Sequence, residues 1–247
     1  MSLGQKLGVI LKNTKLFFNV LKSTGNSGGK MKRRELLKGM AAISASPILT
    51  THALEENFMF SEHDALIIVD VQNDFLPGGS LGVVDGNAVI PVINSCIEMA
   101  SANQLPMYAT RDWHPIDHCS FVENGGTWPI HCVAGSKGAE FSKELKLPNN
   151  IEIIDKGTNR DKEAYSGFQG TDLSERLNKK SVNRVIVGGI ATDYCVLNTV
   201  NDALDNNFEV ILLTQAIRAV NLNPDDGEKA IKSMVNKGAK IYGGLFL

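Results

Sequence analysis

The 247-residue chain has no apolar run approaching the ~20 residues that a membrane-spanning helix needs, so nothing in it supports an integral membrane protein. It has only four cysteines, Cys96, Cys119, Cys132 and Cys195, with no C-x-x-C pair and no zinc-finger spacing. That excludes the usual signatures of a disulfide scaffold or a structural zinc module. No G-x-G-x-x-G follows the first apolar run and no P-loop occurs, which removes the two common nucleotide-binding fingerprints. Basic clusters are also missing from most of the chain: after Ala53, 194 residues carry 16 Lys/Arg against 26 Asp/Glu. An acidic body argues against nucleic acid as partner, because phosphate recognition needs clustered cations.

The opposite imbalance marks the beginning. Met1 to Arg34 has eight basic residues and no acidic one, and Met1 to Ala53 as a whole has nine Lys/Arg against Glu35 alone. Ser23 to Lys30 reads as a flexible linker. From Met31 the order is Lys-Arg-Arg-Glu-Leu-Leu-Lys-Gly, a weakly apolar stretch from Met40 to Leu49, and a small-residue end at Ala53. This is the layout of an export signal, with Arg33-Arg34 in the twin-arginine position. Residues 1–53 are therefore read as a basic targeting extension and 54–247 as one catalytic domain, placed in the periplasm. A disordered tail on a cytoplasmic enzyme, an organellar transit segment, or translation starting at Met31 are the alternatives.

The body alternates. Short buried-type runs at Ala65–Val69, Met107–Thr110, Ile151–Ile154, Arg184–Val187, Val210–Leu213 and Lys240–Tyr242 predict strands. Between them, Val89, Val92, Ile93, Ile97 and Ala100 share one helical face, as do Val196, Thr199, Val200, Ala203 and Leu204. Ala230, Ile231, Met234 and Val235 mark a last helix between Pro224 and Gly238. The expected fold is α/β, with three α/β/α layers around a mostly parallel central sheet. The aperiodic stretch Arg111–Asn150, rich in Gly, Pro, His and Trp, is too long for an idle connection and reads as a functional loop.

Open parallel sheets bind ligands beyond the carboxyl ends of their strands. That rule selects Asp70, Arg111-Asp112, Lys156 and the Gly188–Cys195 turn. Cys195 is the one strong nucleophile among them, and the start of a helix at that turn would lower its thiol pKa and offer backbone N–H groups to an oxyanion. A buried structural cysteine is the plainer alternative. Asp112-x-His114 with His131 downstream supplies one carboxylate and two imidazoles, a catalytic metal composition with open positions. His118 and Glu123 lie near enough in sequence to contribute, and surface histidines are the plainer alternative. Lys156 is preferred over Lys162, and Asp70 over Asp74, because each lies closer to a strand end. Cys96 is expected in a helix core, Cys119 and Cys132 as ordinary loop thiols, and His63 on the surface.

With these residues placed, the sequence resembles the nicotinamidase branch of the isochorismatase-like hydrolases over nearly all of Asp64 to Tyr242. The matching strings are Ile68-Val-Asp-Val-Gln-Asn-Asp-Phe75, Arg111-Asp-Trp-His-Pro115, Trp128-Pro-Ile-His-Cys132, Lys156-Gly, Lys162-Glu-Ala-Tyr-Ser-Gly-Phe168 and Gly189-Ile-Ala-Thr-Asp-Tyr-Cys195. The resemblance implies a catalytic triad of Asp70, Lys156 and Cys195, with backbone N–H groups of Ala191 and Cys195 as the oxyanion hole. It also implies a divalent metal on Asp112, His114 and His131, zinc foremost, with iron or manganese as alternatives. Phe75, Trp128 and Tyr165 would line the substrate slot, and a cis peptide would join Ile190 to Ala191. The implied activity is hydrolysis of nicotinamide, and of pyrazinamide, to the acid and ammonia, by a chain that is compatible with a homo-oligomer. A carbamoyl or ureido amidohydrolase of the same fold, and a catalytically inactive ligand-binding member, are the rival readings.

The export reading predicts a mature chain that begins near Leu54 and lies outside the bacterial cytoplasm. Cell fractionation with N-terminal sequencing, comparing wild type with Arg33→Lys/Arg34→Lys, checks it. Export indifferent to that double change would remove the twin-arginine assignment.

Overall fold

The computed structural model describes residues 59–243; the basic extension 1–53 and its export reading lie outside the described residues. Six strands form one sheet: β1 (Asp64–Val69), β2 (Met107–Asp112), β3 (Glu152–Lys156), β4 (Arg184–Ile190), β5 (Glu209–Arg218) and β6 (Lys240–Tyr242). Their order is β3-β2-β1-β4-β5-β6, and every pairing is parallel rather than most of them. Among the described residues the α-helices are α1 (Val89–Ala102), α2 (Leu173–Lys179), α3 (Leu197–Asp205) and α4 (Asp226–Lys237).

Alternate residues of the strands feed two separate cores. Leu66, Ile68, Ile186 and Leu213 pack with Ile90, Ile93 and Ile97 of α1 on one face. Ala65, Ile67, Val69, Val185, Val187 and Leu212 pack on the other face with Leu173 and Leu177 of α2, Val200 and Ala203 of α3, and Met234 of α4. All six residues of β1 are buried, as a central strand covered on both sides requires. Asp64 at its start is buried too, its carboxylate taken by the Arg184 guanidinium at 2.6 and 2.8 Å. Among the described residues no helix is long and apolar enough to cross a membrane.

Apolar periodicity locates the strands but undershoots their carboxyl ends. β2 and β3 run on to Asp112 and Lys156, so these two are the last residues of their strands and not the first of the loops. β4 likewise takes in Gly188-Gly189-Ile190, and β5 continues past Leu213 through polar Thr214-Gln215 to Arg218. The seven-residue α2 was not expected; its only apolar signal is the pair Leu173 and Leu177, one turn apart. The expected Ile190–Ala191 cis peptide is present.

The sheet order reverses between β1 and β4, which opens a crevice between the chain segments that leave them. Gly189 makes that junction tight. It sits at φ +135°, and a β-carbon there would lie 2.0 Å from the Val69 carbonyl oxygen. Gly189→Ala is therefore expected to destabilise the domain by about 2 kcal/mol or more through backbone strain and overpacking. Thermal unfolding should show this as a Tm drop of roughly 4–8 °C, and an unchanged midpoint would refute the tight-junction account.

Candidate active site

Four strand ends meet in the crevice. Asp70 follows β1 in a left-handed conformation (φ 49°) and is completely buried. Its Oδ1 accepts the Thr110 hydroxyl at 2.6 Å, and its Oδ2 lies 2.9 Å from Lys156 Nζ. The same ammonium is 2.5 Å from Asp112 Oδ1, 3.2 Å from the Ala164 carbonyl and 3.6 Å from Cys195 Sγ. One cation thus touches two carboxylates and the thiol. Cys195 lies in a π-helical turn, Thr192–Val196, that leads from the cis peptide into α3, so the expected helix start at the cysteine is present.

Burial raises both the Asp70 carboxyl and, strongly, the Cys195 thiol above their ordinary values, with the Lys156 ammonium opposing each shift. Burial thus favours the protonated form of both groups, and Asp70 is the carboxyl beside the thiol whose proton affinity is raised. Asp112 is the contrast: burial works against its ionisation, but Lys156 and His114 outweigh it and hold the carboxyl well below the usual range.

Asp112, His114 and His131 are all buried, and one ligand atom from each lies within 4.8 Å of the others. His114 Nδ1–H donates to the Gly157 carbonyl at 2.9 Å, and His131 Nδ1–H donates to the Pro129 carbonyl at 2.8 Å. A carbonyl can only accept, so in the neutral imidazole each Nε2 is the unprotonated nitrogen, free to ligate, although against burial the Asp112 carboxylate beside His114 raises that ring's pKa. Burial keeps His131 below its usual pKa, in the neutral form a metal requires. Gly157 closes over His114 at φ +62°, where a β-carbon would meet the imidazole at 2.4 Å. The donor set, its fixed tautomers and its closeness fit a three-ligand divalent metal with open positions.

Above these groups is a pocket walled mainly by aromatic side chains. Asp112, His131, Ala191 and Cys195 form its chemical end, and Phe75, Trp128, Tyr165 and Tyr194 form its walls. Trp128 Nε1–H donates to the Tyr165 hydroxyl at 2.9 Å, and Tyr194 meets Trp128 edge to face with ring centroids 5.2 Å apart. All ten residues that the sequence assigned to the site are brought together in this crevice.

Four further pocket residues escaped sequence reasoning: Leu81, Glu163, Tyr194 and Val220. Tyr194 and Glu163 stand inside the matching strings and were open to notice. Leu81 and Val220 carried no local signal. Val220 is held in place by Asp193, whose carboxylate accepts the N–H groups of Val220 and Asn221 at 2.9 and 2.8 Å.

The remaining sequence candidates separate cleanly. His118 is buried but stands outside the Asp112, His114 and His131 group: Nδ1 bonds the Ser120 hydroxyl at 2.7 Å, Nε2–H donates to the Lys162 carbonyl at 3.1 Å, and the ring stacks on His114 at 4.2 Å. Glu123 and Lys162 are exposed, the latter offering only its carbonyl. Asp74 is a brace, accepting the Cys132 N–H at 2.7 Å. Cys96 is core and His63 exposed, as expected, whereas Cys132 is no ordinary loop thiol. It is fully buried at φ 44°, and its carbonyl accepts the His114 N–H at 3.0 Å.

Comparison with known proteins agrees with this geometry. The Isochorismatase domain family matches residues 64–243. The Escherichia coli nicotinamidase is 35% identical over 199 residues, which cover 72% of this chain and 93% of that protein. The Mycobacterium tuberculosis nicotinamidase/pyrazinamidase is 40% identical over 164 residues, 63% of this chain and 87% of that one. The crystal structure of the Pyrococcus horikoshii pyrazinamidase in complex with zinc superposes with a TM-score of 0.71 at 47% identity, covering 74% of this chain and 99% of that one. The chain belongs to the isochorismatase family.

Proposed function

We propose that this chain is a nicotinamidase, hydrolysing nicotinamide to nicotinate and ammonia and accepting pyrazinamide as well. The single observation that carries the reading is the one ammonium, Lys156, shared between a carboxylate-thiol pair and a carboxylate of a three-ligand metal group, beneath an aromatic-walled pocket. Nicotinamide has an amide carbon for the thiol and a ring nitrogen for the metal. Zinc is the proposed ion, the one bound in the archaeal relative's structure.

Asp70 takes the Cys195 proton as the sulfur attacks the amide carbon, and Lys156 stabilises the charge that passes between them. The N–H groups of Ala191 and Cys195 hold the resulting oxyanion, at about 3 kcal/mol per donor. The C–N bond then breaks, and the nitrogen leaves as ammonia with the proton that Asp70 carried. A thioester remains on Cys195, and water hydrolyses it to the carboxylic acid, returning the proton to sulfur. When bound to Asp112, His114 and His131, the metal supplies a Lewis-acid anchor for the pyridine nitrogen. Trp128 and Phe75 orient the ring, so the amide at the meta position meets the thiol.

Ammonia release from nicotinamide by purified protein, with and without chelator, tests the activity directly. Cys195→Ala should abolish turnover while metal content stays at the wild-type level; retention of more than a few per cent of the rate would sink the nucleophile assignment.

His131→Ala or Asp112→Ala should lose bound metal and raise KM for nicotinamide by about 10- to 100-fold. Metal analysis beside steady-state kinetics decides it, and a metal-free protein with an ordinary KM would show the ligands to be wrong. Benzamide, which lacks the ring nitrogen, should lose about 100-fold or more in kcat/KM. A carbamoyl or ureido hydrolase would instead keep its activity after metal removal.

A further inference from the structure

The nicotinamidase cycle makes a product that its own pocket cannot reject by shape. The amide and the acid share the same ring and differ only in an NH2 group against an oxygen, so volume and aromatic contacts treat them alike. Charge separates them: the substrate is neutral and the product an anion at neutral pH. A divalent ion on Asp112, His114 and His131 would add positive charge and favour the anion.

Glu163 has no part in the cycle above, yet it lines this pocket. It stands at the end of the turn that leaves β3, just before Ala164, whose carbonyl accepts Lys156. Its carboxylate is folded back at the rim, where Oε1 accepts the Ala164 N–H at 3.1 Å. Among the described residues no salt bridge involves it. No lysine or arginine lines the pocket. The nearest ammonium, Lys156, is fully buried and already committed to Asp70 and Asp112. Glu163 is thus the one pocket carboxylate without a cationic partner.

We propose that Glu163 is a specificity-determining residue, a rim charge that selects neutral amides and expels the carboxylate product. The proposal rests on the nicotinamidase reading for the identity of that product. An unneutralised carboxylate at the mouth raises the free energy of any bound anion and leaves a neutral ring almost untouched. The effect is that of one partly solvated charge several ångströms away, which corresponds to a factor of about 3 to 10 in affinity.

The test is product inhibition of zinc-loaded enzyme, measured as the Ki of nicotinate against ammonia release from nicotinamide. Glu163→Gln should lower the ratio of nicotinate Ki to nicotinamide KM by about three- to tenfold. Glu163→Asp should restore it, and 0.5 M NaCl should narrow the gap through screening. The side chain is exposed and bonds only its neighbour's backbone, so the folded state is retained, and thermal melting verifies this. A ratio within twofold of wild type, or a Gln effect indifferent to salt, would overturn the proposal. Wild-type enzyme that releases no ammonia from nicotinamide would overturn the functional reading and this inference with it. Normal turnover with an unmoved ratio would overturn this inference alone.

Discussion

The buried ammonium of Lys156 is the constraint on which the site depends. Its side chain has no solvent exposure, and it is held between Asp70, Asp112 and the Ala164 carbonyl, with the thiol of Cys195 in reach. A lone buried cation is costly, and removing one partner of such a pair typically destabilises by about 3–5 kcal/mol. The arrangement persists because each carboxylate needs the lysine as much as the lysine needs them. Its consequence is chemical: the proposed proton acceptor, the proposed nucleophile and a ligand of the proposed metal all answer to one positive charge. The two halves of the site are one electrostatic unit.

The sheet makes that unit possible. Parallel strands deliver their carboxyl ends to the same edge, and the reversal of order between β1 and β4 leaves a gap there for the pocket. The long loop after β2 would be loose on its own. It is laced down by the segment that follows β1, where Gln72, fully buried, donates to the carbonyls of Asp112 and Ala139 and accepts the Asp112 N–H. Asp74 continues the lacing to Cys132. The run Val-Gln-Asn-Asp therefore contributes little to the chemistry but fixes where Asp112, His114 and His131 stand. On the opposite side, Asp193 ties the cysteine turn to Val220.

Much of this was legible in the residues because strong apolar runs and strand-end polar residues are local signals. Asp70 and Cys195 could be placed by topology alone, and the Asp-x-His spacing marked two of the candidate metal ligands. What remained hidden depends on distance in the chain. Strand ends were cut short because Asp112, Lys156 and Gln215 are polar, and pairing with a neighbouring strand, invisible locally, extends them: Asp112 pairs with Lys156, and β5 resumes pairing beyond Gln215 at Ile217 and Arg218. Leu81 and Val220 enter the pocket from segments with no chemistry of their own. Cys132 was misjudged because its role is carried by its backbone, held by Asp74 and His114 from 58 and 18 positions away. His118 offered a ligand's side chain but meets Ser120 and the Lys162 carbonyl first.

The carbonyls of Gly157 and Pro129 decide which nitrogen of each imidazole is turned to the Asp112, His114 and His131 group. Both are main-chain groups, and every residue type carries one. The tautomers of His114 and His131 are therefore insulated from sequence drift: no point substitution deletes the acceptor, and only a change that moves the turn itself can reverse the ring. In families where a side-chain carboxylate performs this duty, a single replacement suffices. Here the ligand polarity is a property of the chain's path, inherited with the fold rather than with any one side chain.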